Sequence, residues 1–438
     1  MNTCPGACDT GPTVAEIPDQ VEITVGIDGA DIAAGILRRS PARGPSTVFN
    51  YHGEFLITRN SYDLDPALPR SMAPFRSRGE SSLFSAFVDA GPDDWGKRLL
   101  MRLVRESAAA EGTAVPSLDP YDFFVLTNDL VRQGALRVKN PNTSLYLTTG
   151  DRVIPRVSEL GALERGVDAV ASGAPVDASV LELLATSSGM GGARPKIAVH
   201  DEQGSLWIAK FPWGSVDTSD VPRWEEVTAR LARAAGIDMA VTRLVDVGDH
   251  SILLVRRFDR DGSRRIGYVS ARTLVGSVGE DTSTALDVAE ALSAYGASVA
   301  SDLTEMYRRL VFSLLVSNYD NHLRNWGFLR SHGGWRLSPA FDINPDPTHP
   351  GQTTIPLAPG VVRPCLDDLL SAAGAFRLSK NDAAEIAVNI EAMTTPWREI
   401  AASLSITSTQ CEAASPAFDT ALREEITIFA GRSRSEPG

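Results

Sequence analysis

The chain has 438 residues, 43% of them apolar, enough for two or three domains that each bury a core. Its net charge of −13 argues against broad electrostatic binding of nucleic acid, which needs a basic face to displace counterions from phosphates. Cys4, Cys8, Cys365 and Cys411 form no repeated metal-ligand pairs, the N-terminus has no secretory leader pattern, and the densest apolar run, Leu310 to Val316, is far short of the ~20 residues of a membrane span, so a cytoplasmic protein with reduced thiols is expected.

Residues 1–19, rich in Gly, Pro, Thr and Asp, are expected to be poorly ordered. The alternation in VEITVGIDG from Val21 predicts a strand, and STVFNYHGEFLI, Ser46 to Ile57, reads as two strands about a His52-Gly53 turn. Two helices follow, split at Gly91-Pro92, with Asp93 or Asp94 capping the second, and a first α+β unit closes near Gly112. A helical segment from Tyr121 leads into GALRV, and KNPNTS is a boundary signal. Two further helices, in VSELGALERGVDAVASG and DASVLELLATSSG, run into a glycine-rich turn, and the chain ends in the low-complexity stretch GRSRSEPG, of which residues 432–438 form the tail outside the last fold element.

The turn, TSSGMGGARPK, places Gly189, Gly191 and Gly192 ahead of Lys196. Glycines let a backbone approach phosphate oxygens, and an ammonium adds charge, but the pattern is neither a Walker loop nor a dinucleotide fingerprint, and a plain flexible turn reads equally well. A hairpin follows, KIAVH and SLWIAKFP, whose second strand carries Lys210 on the face of Leu206 and Ile208. Such a lysine either snorkels from an edge strand or has a partner. Glu225 and Glu226, in the first turns of an amphipathic helix that stops at Gly236, are candidates, although acidic residues are ordinary at helix starts. Glycine loop, strand lysine and helix glutamate occur in that order in kinase N-lobes, where the lysine holds the α/β-phosphates. The strand SILLVRRFDR then brings Arg256, Arg257 and Phe258 to where a hinge would bond adenine, or is only a core strand leaving for solvent.

The helix SDLTEMYRRLVFSLLVSN, with Ser301 as its N-cap, delivers Asp320. The loop DNHLRN passes into a predicted hairpin, WGFLR and WRLSPAF, that leads to Asp342. Phosphoryl transfer needs a carboxylate for the attacking hydroxyl and oxygen ligands for Mg²⁺, and Asp320, Asn325 and Asp342 supply them in chain order. His322 is either a general base or an imidazole that braces the loop. Zinc is disfavoured, because the ligands are hard oxygens and His332 is the one other imidazole nearby.

SSGMGGARPK, WIAKFP, the Glu225 helix, VRRFDR, DNHLRN and SPAFDINP together resemble the HipA-type serine/threonine kinases, the toxins of bacterial HipBA toxin–antitoxin modules. GPDDWGKRLL and GALRV resemble that family's N-terminal subdomain, so the resemblance covers nearly the whole chain. It implies an α+β, two-lobed protein-kinase-like fold: a β-rich N-terminal subdomain over 20–140, an N-lobe over 141–265 and a mainly helical C-lobe over 266–431. It also implies Asp320 as the catalytic aspartate, Asn325 and Asp342 as Mg²⁺ ligands, Lys210 as the phosphate lysine, Gly192, Ala193 and Lys196 in the loop over ATP, and Arg256 to Phe258 at adenine. Phe341 stands where the family often has Tyr, and Arg256 where an acidic residue is usual. The family's autophosphorylated serine aligns with Gly189, so Ser187 and Ser188 are the candidates for a regulatory site, or none exists.

The expected activity is ATP- and Mg²⁺-dependent phosphorylation of a serine or threonine in a cellular protein, which arrests growth; in the best-known branch of the family that protein is glutamate–tRNA ligase. A lipid or small-molecule kinase, a nucleotidyl transferase on the same scaffold, or a pseudokinase that acts as a co-repressor are the alternatives. The resemblance further implies a small helix-turn-helix antitoxin as partner, with DNA reached only through it and no membrane.

Overall fold

The computed structural model describes residues 17–40, 46–77, 82–147, 154–189, 192–214, 216–248, 250–277 and 282–435. Helix and sheet are mixed, and the chain divides into two compact units, Met1–Ala209 with Asp259–Tyr268, and Lys210–Phe258 with Val269–Gly438.

The first unit is built on an antiparallel sheet in the order Phe75–Arg76, Ser46–Tyr51, Ala30–Ser40, Gln20–Ile27, Leu136–Lys139. The period of two in the Gln20–Ile27 strand puts Val21, Ile23 and Val25 fully inside. The second strand expected after His52 is instead a short helix, Gly53–Ile57. Pairing stops where the His52 N–H bonds Ala34 O at 2.9 Å, and the next turn folds back to stack buried Phe55 on Tyr51 at 5.6 Å, leaving Ile57 to solvent. Pro18 and Asp19, expected to be loose, lie against this unit, since Tyr121 Oη donates to Pro18 O at 2.8 Å and the Arg39 N–H to Asp19 O at 2.8 Å; residues 1–16 of that expected stretch lie outside the described residues.

The helices Ser85–Asp89 and Asp94–Glu111 are split as the Gly91-Pro92 pair requires, and it is Asp93 that caps the second, accepting the Gly96 N–H at 2.6 Å. Helices Leu160–Ala171 and Ala178–Thr186 precede the paired strands Lys196–His200 and Leu206–Lys210. The 259–268 excursion is held within this unit by charge: the Asp259 carboxylate accepts the Gly134 N–H at 2.7 Å, and Arg265 bonds Asp129 at 2.9 Å.

In the second unit, helix Val221–Ala234 packs on the antiparallel strands Thr242–Val247 and His250–Arg256, and the core helix Val299–Leu315 buries Leu303, Met306, Tyr307, Leu310 and Leu314. That helix begins earlier than Ser301, after Ser298, because the Ala297 N–H is held by Trp335 O at 2.8 Å and the Asp302 N–H already bonds Ser298 O. The expected hairpin forms from Gly327–Ser331 and Gly334–Leu337, and a fork of hydrogen bonds from Arg336 to Asp302 at 2.8–3.0 Å fixes it to the helix. Helices from Leu366 onward close the unit around stacked Trp397 and Phe418, 4.2 Å apart. The last helix, Ala421–Ser435, takes in most of the expected tail, and 436–438 lie outside the described residues. Among the described residues no helix is long and apolar enough to cross a membrane.

Candidate active site

Within the second unit the strand, the helix and the hairpin bring three charged side chains together. Lys210 Nζ lies 2.6 Å from Glu225 Oε1 and 2.6 Å from Asp342 Oδ1. Burial alone would lower the Lys210 pKa, but the Asp342 and Glu225 carboxylates outweigh it and hold the ammonium at about 12. Of the two glutamates open in the sequence, Glu226 turns away to accept from Arg230 at 2.8 Å and Thr242 at 2.5 Å.

Asp342 is held in an unusual backbone state. Its φ is +58°, in the left-handed region that costs most residues of order 1–3 kcal/mol and that asparagine and aspartate tolerate best. Both flanks are fixed: Ala340 is bonded to Asp238 O and Ala240 N at 2.7 and 2.9 Å, Ile343 O accepts from Thr228 Oγ1 at 2.5 Å, and the Asn344 N–H donates to Asn318 Oδ1 at 3.1 Å.

The 317–326 loop is stapled to the segment after Asp342. Ser317, at φ +49°, accepts the Asp346 N–H on its carbonyl at 3.0 Å and the Gly351 N–H on its hydroxyl at 2.8 Å. Tyr319 stacks on His349 at 3.8 Å, and Asn321 accepts Trp326 Nε1 at 2.8 Å while reaching Thr353 at 3.4 Å. These staples leave the Asp320 side chain 79% exposed, with its carbonyl accepting Asn325 Nδ2 at 2.9 Å. His322 Nε2 stands 3.9 Å from Asp320 Oδ1, too far for a hydrogen bond, and its buried Nδ1 has no partner among the described residues, so no hydrogen bond of this ring braces the loop. Arg324 is exposed. Asn318 and Asn321 were not singled out by sequence; the dense Asn and Ser of SNYDN are the signal, since such side chains bond loop backbone.

At the end of the His250–Arg256 strand, the Arg256 N–H is already donated to Val241 O at 2.8 Å and its side chain is exposed, whereas Arg257 is buried. Phe258 packs on Phe341, ring centres 5.5 Å apart, next to Asp342.

The glycine-rich segment belongs to the first unit. Ser187 and Ser188 are both buried, Gly189 follows them, and Gly191 lies outside the described residues. Gly192 has φ +119°, a backbone state in which a side chain is strained, and a Cβ there would stand 2.3 Å from Lys196 Nζ and push that ammonium aside. Ala193 O accepts from Arg98 at 3.4 Å. Lys196, expected at phosphates, is buried with its ammonium 3.3 Å from Asp93 Oδ2.

Burial pushes the Asp93 carboxyl up to about 6, against the pull of the Lys196 ammonium and the Gly96 N–H. The unfolded chain releases this proton near 3.8, so between roughly pH 4 and 6 the folded state binds the extra proton and this group's contribution to stability falls as pH rises. The stability difference between wild type and Asp93→Asn, from urea titrations across that window, should decline with pH; a flat difference would show that Asp93 does not titrate there.

Residues 188–397 match the HipA-like C-terminal domain. Two Sinorhizobium fredii proteins, each named as a candidate kinase, are 30% identical over 156 residues and 26% over 147, which is 32% and 31% of this chain; the matches span only 37% and 33% of those relatives. A solved complex of HipA and HipB with operator DNA from Shewanella oneidensis MR-1 aligns over 95% of this chain and all of the matched chain, with TM-score 0.63 and 14% identity, a likeness of fold. That family match takes in 210 of the 438 residues, and over this stretch the chain is similar to the HipA-like C-terminal domain.

Proposed function

We propose that this chain is an ATP- and Mg²⁺-dependent kinase with the two-lobed kinase-like arrangement, and that it transfers the γ-phosphoryl group of ATP to a serine or threonine hydroxyl of a cellular protein. The observation that carries the reading is the Glu225–Lys210–Asp342 ion cluster, with both carboxylates 2.6 Å from one ammonium. Residues held in sparsely populated backbone states cluster at active sites and ligand clamps, and Asp342 sits in such a state.

The residues present fit the nucleotide and the metal. Lys210 offers a permanent positive charge for phosphate oxygens, and Glu225 aims it. Asp342 and Asn325 would hold the cation, hard oxygen donors of the kind Mg²⁺ prefers, and the described residues contain no cluster of three His, Cys, Asp or Glu that would favour a softer metal. When bound, Mg²⁺ offsets charge on the phosphates. The acceptor hydroxyl gives its proton to the exposed Asp320 carboxylate as its oxygen bonds to the γ-phosphorus; the bond from that phosphorus to the β,γ-bridging oxygen breaks, and its electron pair leaves on ADP. Lys210, Glu225, Asp320, Asn325 and Asp342 all belong to the second unit.

The target is a cellular protein, in the way of the HipA toxins an aminoacyl-tRNA ligase, whose modification arrests growth. A small helix-turn-helix protein is the proposed partner: the Shewanella oneidensis homologue was solved with HipB and operator DNA, and a chain of net charge −13 would reach DNA through a basic partner. Incubation of a cell extract with γ- and α-labelled ATP tests the reaction. Label on protein serine or threonine from γ-ATP alone is expected. Transfer from α-ATP would replace the reading by nucleotidyl transfer, and label in lipid or small molecules alone by a different kinase.

A further inference from the structure

Asp342 has a neighbour with an unfinished contact. Asn344, two residues on, donates its Nδ2 to Asp342 Oδ1 at 3.3 Å, while its Oδ1 is buried with no hydrogen-bond partner among the described residues. Buried amide oxygens in native folds nearly always have a donor, so the exception calls for a cause. Drift of the segment does not supply one. The Asn344 N–H is tied to Asn318 Oδ1, and Ile343 O to Thr228 Oγ1.

A half-turn about Cβ–Cγ exchanges the oxygen and nitrogen of an asparagine amide. Without a cation, the nitrogen must face the Asp342 carboxylate, because two acceptors repel. With a cation on Asp342, the oxygen is the better face. The 3.3 Å between the two side-chain atoms is close to the separation of adjacent oxygens on an octahedral ion, about 3 Å for bonds of ~2.1 Å.

Resting on the metal reading of Asp342, we propose that Asn344 is a further ligand of the divalent cation, its amide turning its oxygen to the ion that Asp342 holds. Asn344 thereby completes an oxygen set that Asp342 and Asn325 begin.

Mn²⁺ serves as the probe: its free signal in electron paramagnetic resonance is titrated against the full chain with ADP present. Asn344→Leu, which keeps the branched outline and loses both polar atoms, should weaken Mn²⁺ binding about tenfold or more. Asn344→Asp, which keeps the acceptor and loses the donor, should bind at least as tightly as wild type. The proposal is overturned if Asn344→Leu binds like wild type, or if Asn344→Asp is weakened as much as Asn344→Leu, since the amide then serves only as a donor to Asp342. Should Asn344→Leu melt early, Asn344→Asp decides alone: Mn²⁺ binding at least as tight as wild type supports the proposal, and binding weakened about tenfold or more overturns it. Asp342→Asn separates the two levels: loss of Mn²⁺ there with none in Asn344→Leu sinks only the role of Asn344, whereas undiminished binding in Asp342→Asn sinks the metal reading beneath it.

Discussion

Asp320→Asn is expected to lose phosphoryl transfer by roughly 100- to 10,000-fold, the usual worth of a positioned proton acceptor, with its fold and nucleotide affinity intact. The substitution keeps the shape of the side chain and removes its basicity. Because 79% of the Asp320 side chain is exposed, and Asn325 bonds the residue's carbonyl rather than its carboxylate, stability should move by no more than about 0.5 kcal/mol. Three measurements on one preparation decide the matter: transfer of γ-label, binding of ATP with Mg²⁺, and a thermal melt. Retained transfer would remove Asp320 from the chemistry. Lost ATP affinity would instead mark it as a binding residue.

Lys210→Met should act on both stability and function. The ammonium neutralises two carboxylates, and the side chain of Glu225 is only 4% exposed. Methionine nearly matches the length of lysine but leaves two like charges facing each other without a cation. Breaking a buried ion pair from one side costs about 3–5 kcal/mol, and ATP affinity should fall with the lost phosphate contact. The pH dependence carries a sign. In wild type the raised pKa of Lys210, about 12, means that its contribution is complete below about 10.5 and is lost only as pH rises through 12. In Lys210→Met the loss should be largest at neutral pH and shrink in acid, where one carboxylate takes up a proton. Adding Glu225→Gln to Lys210→Met should restore part of the stability and none of the nucleotide affinity. If Lys210→Met melts like wild type at neutral pH, the cluster carries no structural weight.

Local rules made much of this layout legible. The alternation from Val21, the Asp93 cap after Gly91-Pro92, the stop at Gly236 and the hairpin between Asn325 and Asp342 depend on neighbours a few residues apart, which a sequence displays directly. The same rules fail where a segment is short and apolar: GEFLI fits a strand by composition and became a helix because Phe55 has Tyr51 to stack on.

The sequence by itself determined the order of the parts, a strand lysine, a helix glutamate, a loop aspartate and a later aspartate, and through that order the resemblance to the HipA-type kinases. Only the tertiary structure decided the partners. Lys210 takes Glu225 and Asp342, 15 and 132 positions away, while Lys196, equally eligible by composition, is closed on Asp93, 103 positions back. Asp342 takes a left-handed backbone that no local rule requires, and Asn318 and Asn321 are spent on holding the loop that exposes Asp320. The physical reason is range: caps and periodicity act within one or two turns of chain, whereas which charges neutralise one another is settled only when distant segments pack and each buried polar group must find a partner.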